Sequence, residues 1–510
     1  MTVVVGRQEL RFADLVAVGR DGVRAELAPE ARERMARSRA HVDAAAAGDR
    51  LVYGITTGFG ALANTRIPPE ARVQLQHALL RSHGAGMGPP VPREVVRAMM
   101  LSRAGMLAKG YSGVRPVVAE GILDLLNAGV TPFVPVYGSL GASGDLAPLA
   151  HAGLCLTGEG WVLGPDGGCV DAAAALRRAG LAPLALEAKE GLALLNGSDG
   201  MLAVLVLACV DAAALFRTGD AVCAMSVEAL LGTDRPFAPE LQALRPHPGQ
   251  ARSAANLTRV LAGSPIVASH RESAHAVQDA YSLRCHPQVM GAARDALDFA
   301  AQVATRELGA AVDNPVVLPD GRVESSGNFH GEPLAFACDF LAIAAAEVGA
   351  IAERRIDRLL DATRSQGLPA FLSPAPGVNS GLMLAQYTAA ALVAENRRLA
   401  QPASVDSLPT SGMQEDHVSM GWGAALKLRR LLENLARVLA IEAVCAAHGL
   451  DLRAPLQPAP ATRAVLAAIR SRIPGPGADR YLAPDLAAAE ELVRAGVLLA
   501  AAEGVVESLQ

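Results

Sequence analysis

The chain is organised around residues 138–151, GSLGASGDLAPLAH, in which small residues surround the tripeptide Ala142-Ser143-Gly144. A backbone amide can attack the carbonyl two residues back only where the chain folds on itself without Cβ clashes, and Gly144 provides that freedom. Closure of the Gly144 nitrogen onto the Ala142 carbonyl, with water lost from the ring and from Ser143, would give a methylidene-imidazolone (MIO), an electrophile made from the protein itself. The bare tripeptide is also an ordinary turn sequence, so its context must distinguish a turn from an electrophile.

That context resembles a known family. The stretch from Gly138 to Ala150 is similar to the signature of the aromatic amino acid ammonia-lyases, which comprise the histidine, phenylalanine and tyrosine ammonia-lyases and related aminomutases. Further segments resemble the family from about Tyr53 to Met420, with the histidine enzymes the nearest. The resemblance implies a mainly α fold, an elongated helical bundle of the ammonia-lyase and aspartase/fumarase type with a small mixed N-terminal part. It also implies a homotetramer in which each site is built from more than one subunit.

The composition agrees with a helical protein and excludes several classes of partner. Hydrophobic residues make up 51% of the chain and aromatic residues only 4%, which favours packed helices over sheets. A net charge of -5 gives no indication of nucleic acid or anionic membrane as a partner. The seven cysteines are scattered without a Cys-x-x-Cys pair, which is typical of reduced thiols in a cytosolic protein and predicts neither disulfides nor a metal site.

The N-terminus has no charged region followed by an apolar core, so we expect no signal peptide and a cytoplasmic chain. The most apolar run, Met201–Val210, is too short to span a bilayer and predicts a buried helix. No pair of histidines has the spacing of metal ligands, and we expect no bound metal.

The hydrophobic pattern predicts the order of elements. Short β runs fall at 2–5 and 23–27, and a hairpin is predicted at 161–170. Helices are predicted at 29–46, 70–82, 92–109, 199–231, 267–282, 288–310, 332–364, 380–400, 421–448 and 485–508. We expect an N-terminal domain, 1–198, carrying the Tyr53 loop and the Ala-Ser-Gly loop, and a long-helix bundle with a C-terminal helical region, 199–510.

The reaction that the resemblance implies needs an electron sink, a base near the β-carbon of an α-amino acid, and a clamp for the carboxylate. The sequence carries no lysine-centred pyridoxal motif and no dinucleotide fingerprint. We therefore expect MIO, formed from Ala142, Ser143 and Gly144, to be the electrophile, without pyridoxal phosphate or a nucleotide.

Two segments supply candidate partners for the electrophile. Tyr53 opens YGITTGFG (53–60), which resembles the mobile tyrosine loop of the family and implies that Tyr53 removes the β-proton. Gln278, Tyr281 and Arg284 are three residues apart, so on a helix they would share one face. Arg284 offers a planar fork for a carboxylate. The resemblance makes it the substrate clamp, with Tyr281 in a catalytic position and Gln278 lining the site.

Three further residues are carried over from family segments. Asn196 lies in KEGLALLNG (189–197), and the resemblance matches it to an asparagine that forms hydrogen bonds within the site. Asn314 lies in Asp-Asn-Pro, and Phe329, in Gly-Asn-Phe-His, would cover the pocket. Asn-Pro and Gly-Asn are also common turn formers, so sequence context alone would make Asn314 and Phe329 structural, and only the resemblance places them in the site.

Two positions indicate the substrate. Ser82-His83 resembles the histidine enzymes, and Glu415 corresponds to the carboxylate that meets the substrate imidazole there. A carboxylate and an imidazole can both hydrogen-bond a ring that changes charge near pH 6.5. A hydrocarbon ring would instead leave Glu415 buried and unpaired. L-histidine, converted to trans-urocanate and ammonia, is therefore the expected substrate.

Four positions depart from the histidine pattern and keep alternatives open: Ala280, Ala394, Met413 (after Gly412) and Trp422 (after Gly421). The first alternative is an aminomutase, which would return ammonia to the β-carbon. Others are an ammonia-lyase for tyrosine, phenylalanine or a histidine derivative, and a non-catalytic helical scaffold whose tripeptide stays uncyclised.

Overall fold

The computed structural model describes residues 2–48, 51–60, 63–273 and 275–510. These residues form twenty α-helices and eight strands of no more than four residues, so the prediction of a mainly α fold is confirmed. The chain folds into two compact units, each assembled from several segments. Unit 1 comprises the chain up to Leu207 together with Ala300–Asp339 and Pro402–Leu426, and unit 2 comprises Ala208–Phe299, Phe340–Gln401 and Lys427–Gln510.

Unit 1 begins with a parallel strand pair, β1 (Thr2–Val5) and β2 (Arg24–Leu27), joined through helix α1 (Phe12–Gly19). Both strands alternate exposed and buried residues, the pattern of a half-buried strand. The other short helices of this unit are α2 (Pro29–Ala47), α3 (Arg72–His83), α4 (Arg93–Leu107), α5 (Pro116–Asn127), α6 (Leu146–Leu156), α7 (Ala172–Ala179) and α8 (Glu190–Leu195). Proline stands at the first position of α2 and α5, where its missing amide hydrogen costs no helical hydrogen bond.

Three small antiparallel strand pairs complete unit 1. They pair β3 (Met87–Pro90) with β4 (Pro135–Tyr137), β5 (Trp161–Leu163) with β6 (Cys169–Asp171), and β7 (Val316–Val317) with β8 (Val323–Glu324). The β5–β6 hairpin confirms the one predicted at 161–170.

Four long helices contribute residues to both units: α9 (Asp199–Ala229), α14 (His286–Leu308), α15 (Glu332–Leu360) and α17 (Gly421–Asp451). Unit 2 adds α10 (Pro239–Ala243), α11 (Pro248–Val260), α12 (Pro265–Ser269), α13 (Tyr281–Arg284), α16 (Met383–Leu399), α18 (Pro460–Arg470), α19 (Ala483–Arg494) and α20 (Val497–Glu503). The wide apolar stripe of 421–448 is buried along α17, as its spacing predicts.

The predicted helix at 267–282 is wrong. Helix α12 ends at Ser269, α13 begins only at Tyr281, and the described residues between them form turns. Val277 is the only large apolar residue in this interval and it is fully exposed, so the segment has no apolar face to bury. Gln278 therefore does not share a helix face with Tyr281 and Arg284. The predicted helix at 485–508 is likewise divided, at Gly496, whose φ of +70° ends α19.

The compact units also differ from the predicted division at residue 198. Segments 300–339 and 402–426 belong to the same unit as the N-terminal part, because they pack beside the Ala-Ser-Gly loop. The Met420 amide donates to Leu140 O at 2.8 Å, and the Ser419 hydroxyl donates to Gly141 O at 2.9 Å. Ala61 and Leu62, which follow the tyrosine loop in sequence, lie outside the described residues.

Within the part of the chain that the structure describes, α9 and α15 are long and apolar enough to cross a bilayer by length and composition alone. In α9, 78% of the most apolar window is buried inside the protein, and in α15 the share is 56%. A helix that is apolar on most sides and buried against protein is a core helix, which agrees with the prediction that Met201–Val210 is a buried segment.

Candidate active site

A cavity of about 510 Å³ lies in unit 1 and is lined by most of the residues that the sequence singled out. The predicted residues in its wall are Tyr53, His83, Ala142, Ser143, Asn196, Asn314, Phe329 and Glu415. They come from distant parts of the chain, and Ser143 and Glu415 are 272 residues apart. A concave site with few convergent polar groups is the usual form of a small-molecule site.

The Ala-Ser-Gly loop is held in a conformation that only glycine accommodates at its end. Gly144 has a φ of +75°, and a Cβ on it would lie 2.1 Å from Gly197 O. The neighbouring Asp145 amide donates to that same carbonyl at 2.7 Å. The tripeptide is therefore pressed against the segment that follows α8, with Ala142 and Ser143 turned to the cavity.

Asp145 anchors the loop from inside the protein. It is fully buried and accepts hydrogen bonds from the Met201 amide at 2.8 Å and from the Ser139 hydroxyl at 3.1 Å. Burial raises the pKa of this carboxyl to about 7, although both hydrogen bonds act in the opposite direction. The same Ser139 oxygen accepts from the Gly141 amide at 3.1 Å, so one hydroxyl connects both ends of the loop.

Tyr53 presents its phenol at the cavity wall. Its oxygen accepts a hydrogen bond from the Gly60 amide at 3.1 Å, and its ring meets Phe59 edge to face with centroids 6.3 Å apart. Gly54, at φ +70°, lets the loop approach α8 closely, since a Cβ there would lie 2.6 Å from Leu192 Cδ2. The base that the sequence predicts thus lies on a loop seated against α8.

Asn196 follows the last residue of α8 and reaches the electrophile loop. Its side-chain amide donates to Ser143 O at 3.4 Å, while its own Oδ1 is buried and has no hydrogen-bond partner within the described part of the chain. A buried acceptor left unpaired is costly. This atom is available to a donor that enters the cavity, such as an amine.

His83 and Glu415 meet in the same cavity. His83 Nδ1 lies 3.0 Å from Leu79 O, which can only accept, so Nδ1 carries the proton and Nε2 is left as an acceptor. Burial lowers the pKa of His83, opposed in part by the charge of Glu415, and this favours the neutral ring. Glu415 accepts from the Ser143 hydroxyl at 3.2 Å and from the Thr410 hydroxyl at 2.9 Å.

Asn314 and Phe329 also line the cavity, and their roles there stay predictions. Asn314 Oδ1 accepts from the Ser326 amide at 2.9 Å, and its own amide donates to Asp313 at 2.7 Å. Phe329 is half-buried in the wall.

Three predicted site residues lie in unit 2 and do not line this cavity: Gln278, Tyr281 and Arg284. Tyr281 is 71% exposed, and the Arg284 guanidinium carbon lies 4.7 Å from the centroid of its ring. Arg284 Nε is buried and has no hydrogen-bond partner among the residues that the structure describes. The i, i+3 spacing on α13 holds the Arg284 guanidinium over the Tyr281 ring, and part of this guanidinium is left without a hydrogen-bond partner among the described residues.

Several polar residues close together in unit 1 were not predicted from the sequence. Three titratable groups, His330, Glu332 and His417, lie close enough for one atom of each to fall within 4.8 Å of the others. The histidine rings stack at 5.5 Å, and His417 Nδ1 lies 3.4 Å from His330 Nε2. Because 87 residues separate the two histidines, no local spacing signal points to this cluster. The expectation of no bound metal stays a prediction.

Met413, one of the departures from the histidine pattern, stands in an unfavourable conformation. Its φ is +71° and its side chain is 68% exposed and absent from the cavity wall. Asparagine tolerates the left-handed region far better than methionine.

We expect Met413→Asn to stabilise the protein by about 0.5–1 kcal/mol, seen as a higher midpoint of thermal unfolding. Met87→Asn is the control, since Met87 is 75% exposed at a β position; an equal rise there would contradict the strain argument.

Comparison with known proteins agrees with this geometry. Residues 10–471 match the family described as aromatic amino acid lyase. The chain is 59% identical to a histidine ammonia-lyase of Streptomyces coelicolor, with 100% of each chain covered. A solved tyrosine aminomutase from Streptomyces globisporus matches with a TM-score of 0.95 at 37% identity, covering 100% of both chains. The histidine ammonia-lyase from Trypanosoma cruzi matches with a TM-score of 0.91 at 40% identity, over 99% of this chain and 96% of that one.

The helical fold, the cavity and these matches define an enzyme of the carbon–nitrogen lyase class. More particularly, the chain belongs to the aromatic amino acid lyase family. The resemblance drawn from residues 138–150 is confirmed, and with it the ammonia-lyase type of fold.

Proposed function

We propose that this protein is a cytoplasmic homotetramer that eliminates ammonia from L-histidine to give trans-urocanate. The observation that carries the proposal is the meeting of Glu415, neutral His83 and Ser143 in one cavity, with Glu415 3.2 Å from the Ser143 hydroxyl. A carboxylate and an imidazole acceptor suit the two N–H groups of a substrate imidazole in its protonated form. The name of the Streptomyces coelicolor relative supports the same substrate.

The residues around the tripeptide fit an MIO group. Gly144 has no room for a Cβ, and the unpaired Oδ1 of Asn196 belongs to a residue that already contacts Ser143. Ala142, Ser143 and Gly144 would form the group, and Asn196 would hold it. When formed, it supplies the electron-poor centre that weakens the bond between the α-carbon and nitrogen.

Tyr53 is the proposed base. Its oxygen takes a proton from the β-carbon, the electron pair of that C–H bond becomes the new double bond, and the α-carbon–nitrogen bond breaks to release ammonia. The Gly60 amide, which donates to the phenol oxygen at 3.1 Å, stabilises the oxygen while it carries negative charge. Asn314 and Phe329 then act as a polar and an apolar wall that restrict the substrate to one orientation.

The carboxylate clamp is assigned to Arg284, with Tyr281 and Gln278 beside it, contributed by another copy of the chain. Two observations support an oligomer with shared sites. Arg284 Nε has no partner, and unit 2 exposes Phe299 on α14 together with Phe340 and Ile343 on α15. Exposed apolar side chains grouped on long helices are typical of subunit interfaces.

Complementation tests this sharing. Tyr53→Phe and Arg284→Met, each nearly inactive alone, are expected to regain turnover when coexpressed, because some mixed oligomers contain sites with both wild-type residues. Turnover in the purified mixed oligomer is the measurement. Mixtures that stay as inactive as their parents, or a protein that sediments only as a monomer, would contradict shared sites.

An aminomutase is the second candidate, favoured by the TM-score of 0.95 to a tyrosine aminomutase. The deciding experiment incubates the purified protein with L-histidine, L-tyrosine and L-phenylalanine and identifies each product by mass and ultraviolet spectrum. We expect ammonia and urocanate from histidine. A β-amino acid product would establish the aminomutase. A conjugated product from tyrosine or phenylalanine alone would show that histidine is not the substrate.

Glu415→Gln is expected to lower kcat/KM for histidine about 100-fold, the cost of losing one charge-assisted hydrogen bond to the substrate ring. Steady-state kinetics measure the change. The control is Asp416→Asn, at a neighbouring and more exposed carboxylate of the same wall, for which we expect less than about a threefold effect. An equal decrease of kcat/KM in the two variants would show that Glu415 does not recognise the substrate ring.

A further inference from the structure

We propose that Lys189 and Asp313, assisted by Arg103, are positioning residues for the reaction. A buried ion pair joins the two chain segments that end in Asn196 and Asn314 and holds both asparagines at the electrophile. This inference rests on the proposed function, since it assigns a role within the same site.

The pair itself is closed off from water. Lys189 Nζ donates to Asp313 Oδ2 at 2.7 Å, and both side chains are essentially fully buried. The two residues are 124 positions apart in sequence. Burial lowers the pKa of the Lys189 ammonium, and the charge of Asp313 opposes that change. A buried ion pair adds little stability compared with well-packed apolar groups of similar size, so stability alone does not account for this one.

Each partner is attached directly to a residue of the cavity wall. Lys189 immediately precedes α8, and the residue after that helix is Asn196. The other oxygen of Asp313 accepts from the Asn314 amide at 2.7 Å. A displacement of either charged group would therefore move an asparagine that lines the cavity.

Arg103 binds the same two segments from α4. Its guanidinium donates to Asn196 O at 3.1 Å and to Val312 O at 3.4 Å, and it pairs with Asp199 at 2.9 Å. Arg103 is buried as well. The planar fork of arginine suits this task, because its donors are fixed relative to one another and reach several acceptors at once.

The two segments also seat the loop of the proposed base. Gly54, next to Tyr53, is so close to them that an added Cβ would lie 2.6 Å from Leu192 Cδ2 and 3.5 Å from Pro315 Cδ. The Lys189–Asp313 pair thus supports the surface on which Tyr53 rests as well as both asparagines.

The backbone at Lys189 points to the same role. Its φ is +76°, a conformation unfavourable for a residue with a Cβ, and such conformations persist where surrounding contacts hold them and cluster at functional sites. Glycine would adopt this backbone without strain but could not supply the ammonium group that reaches Asp313.

The test compares Lys189→Met, Asp313→Asn and the double variant with the wild-type protein. Each variant is assayed for kcat, KM, the thermal unfolding midpoint and the loss of two waters by intact mass. We expect each single variant to lose about 100-fold in kcat, as a small misplacement of reacting groups does, with KM within about threefold of the wild type and both waters still lost. In the double variant the unfolding midpoint recovers, because no charge is left unpaired, but kcat stays low.

Arg97→Met is the matched control. Arg97 is equally buried in α4, but it donates to the carbonyls of Val18 and Leu126, which are not in the cavity wall. We expect it to lower the unfolding midpoint and leave kcat nearly unchanged. Full recovery of kcat in the double variant, an unchanged kcat in Lys189→Met, or an equal loss in Arg97→Met would each overturn the positioning role. If Lys189→Met fails to fold, Asp313→Asn, which keeps an acceptor oxygen, decides the question alone.

The substrate in this assay is the aromatic amino acid that the wild-type protein converts fastest. A wild type that converts tyrosine and not histidine would reject histidine as the substrate while the comparison of variants still decides the positioning role. Single variants whose intact mass shows no loss of water would indicate that the ion pair is needed for ring closure of the tripeptide. This result too would overturn a positioning role during turnover.

Discussion

Replacing Ser143 by alanine is expected to reduce turnover of L-histidine by at least about 1,000-fold, because the activated group itself is lost. Alanine has no hydroxyl to eliminate, so the exocyclic double bond of the ring cannot form. Intact mass is the direct measurement. The wild-type protein should be lighter than its sequence by two waters, and Ser143→Ala should not lose the second.

Ser139→Ala is the control for this variant. Ser139 lies in the same loop and its hydroxyl donates to Asp145 and accepts from Gly141, but Ser139 does not line the cavity. We expect it to complete both dehydrations and retain most of its turnover. A wild-type protein of unaltered mass that still releases ammonia would remove MIO from the mechanism, and Ser143 with it.

Tyr53→Phe is expected to lower kcat by about 1,000-fold, within the range that a positioned base contributes, while inhibition by urocanate stays within a few-fold. The phenyl ring keeps its edge-to-face contact with Phe59, so the loop should stay in place and only the proton acceptor is removed. Exchange of the β-hydrogen with solvent, followed by mass, should fall in parallel with kcat.

The matched control is Tyr137→Phe. Tyr137 is 71% exposed at the end of β4 and its phenol is outside the cavity, so we expect less than about a twofold change. Tyr53→Phe could retain turnover and still exchange the β-hydrogen of the substrate only if another group accepted that proton. The roles given to the residues of the cavity wall would then need to be reassigned.

Local sequence was sufficient for elements that carry their own signal. The stripe at 421–448 predicted α17, and the short β runs at 2–5 and 23–27 predicted the first two strands, because such signals are encoded in neighbouring residues. It failed at 267–282. Helical spacing without a buried face gives a short peptide no reason to stay helical in water, and the segment between Ser269 and Tyr281 has no such face.

The residues of the candidate site likewise include some that carry a local sequence signal and others that carry none. The tripeptide chemistry follows from three adjacent residues, and the likeness of residues 138–150 to one family identified the candidate electrophile. The positions of Asn196, Asn314 and Glu415 were predicted only through that likeness. Nothing in their own spacing states that they share a cavity. Lys189 and Asp313 lie in the segments that resemble the family, but no pattern indicated that they pair or that Arg103 joins them.

The sequence by itself predicted a candidate electrophile at 142–144 and determined that long apolar helices dominate the fold, since both depend on residues close together in the chain. The tertiary structure decided which distant groups surround Ser143. Burial brings Glu415 to it from 272 residues away and pairs Lys189 with Asp313 across 124. Contacts over such separations depend on how helices pack, and packing is a property of the whole chain.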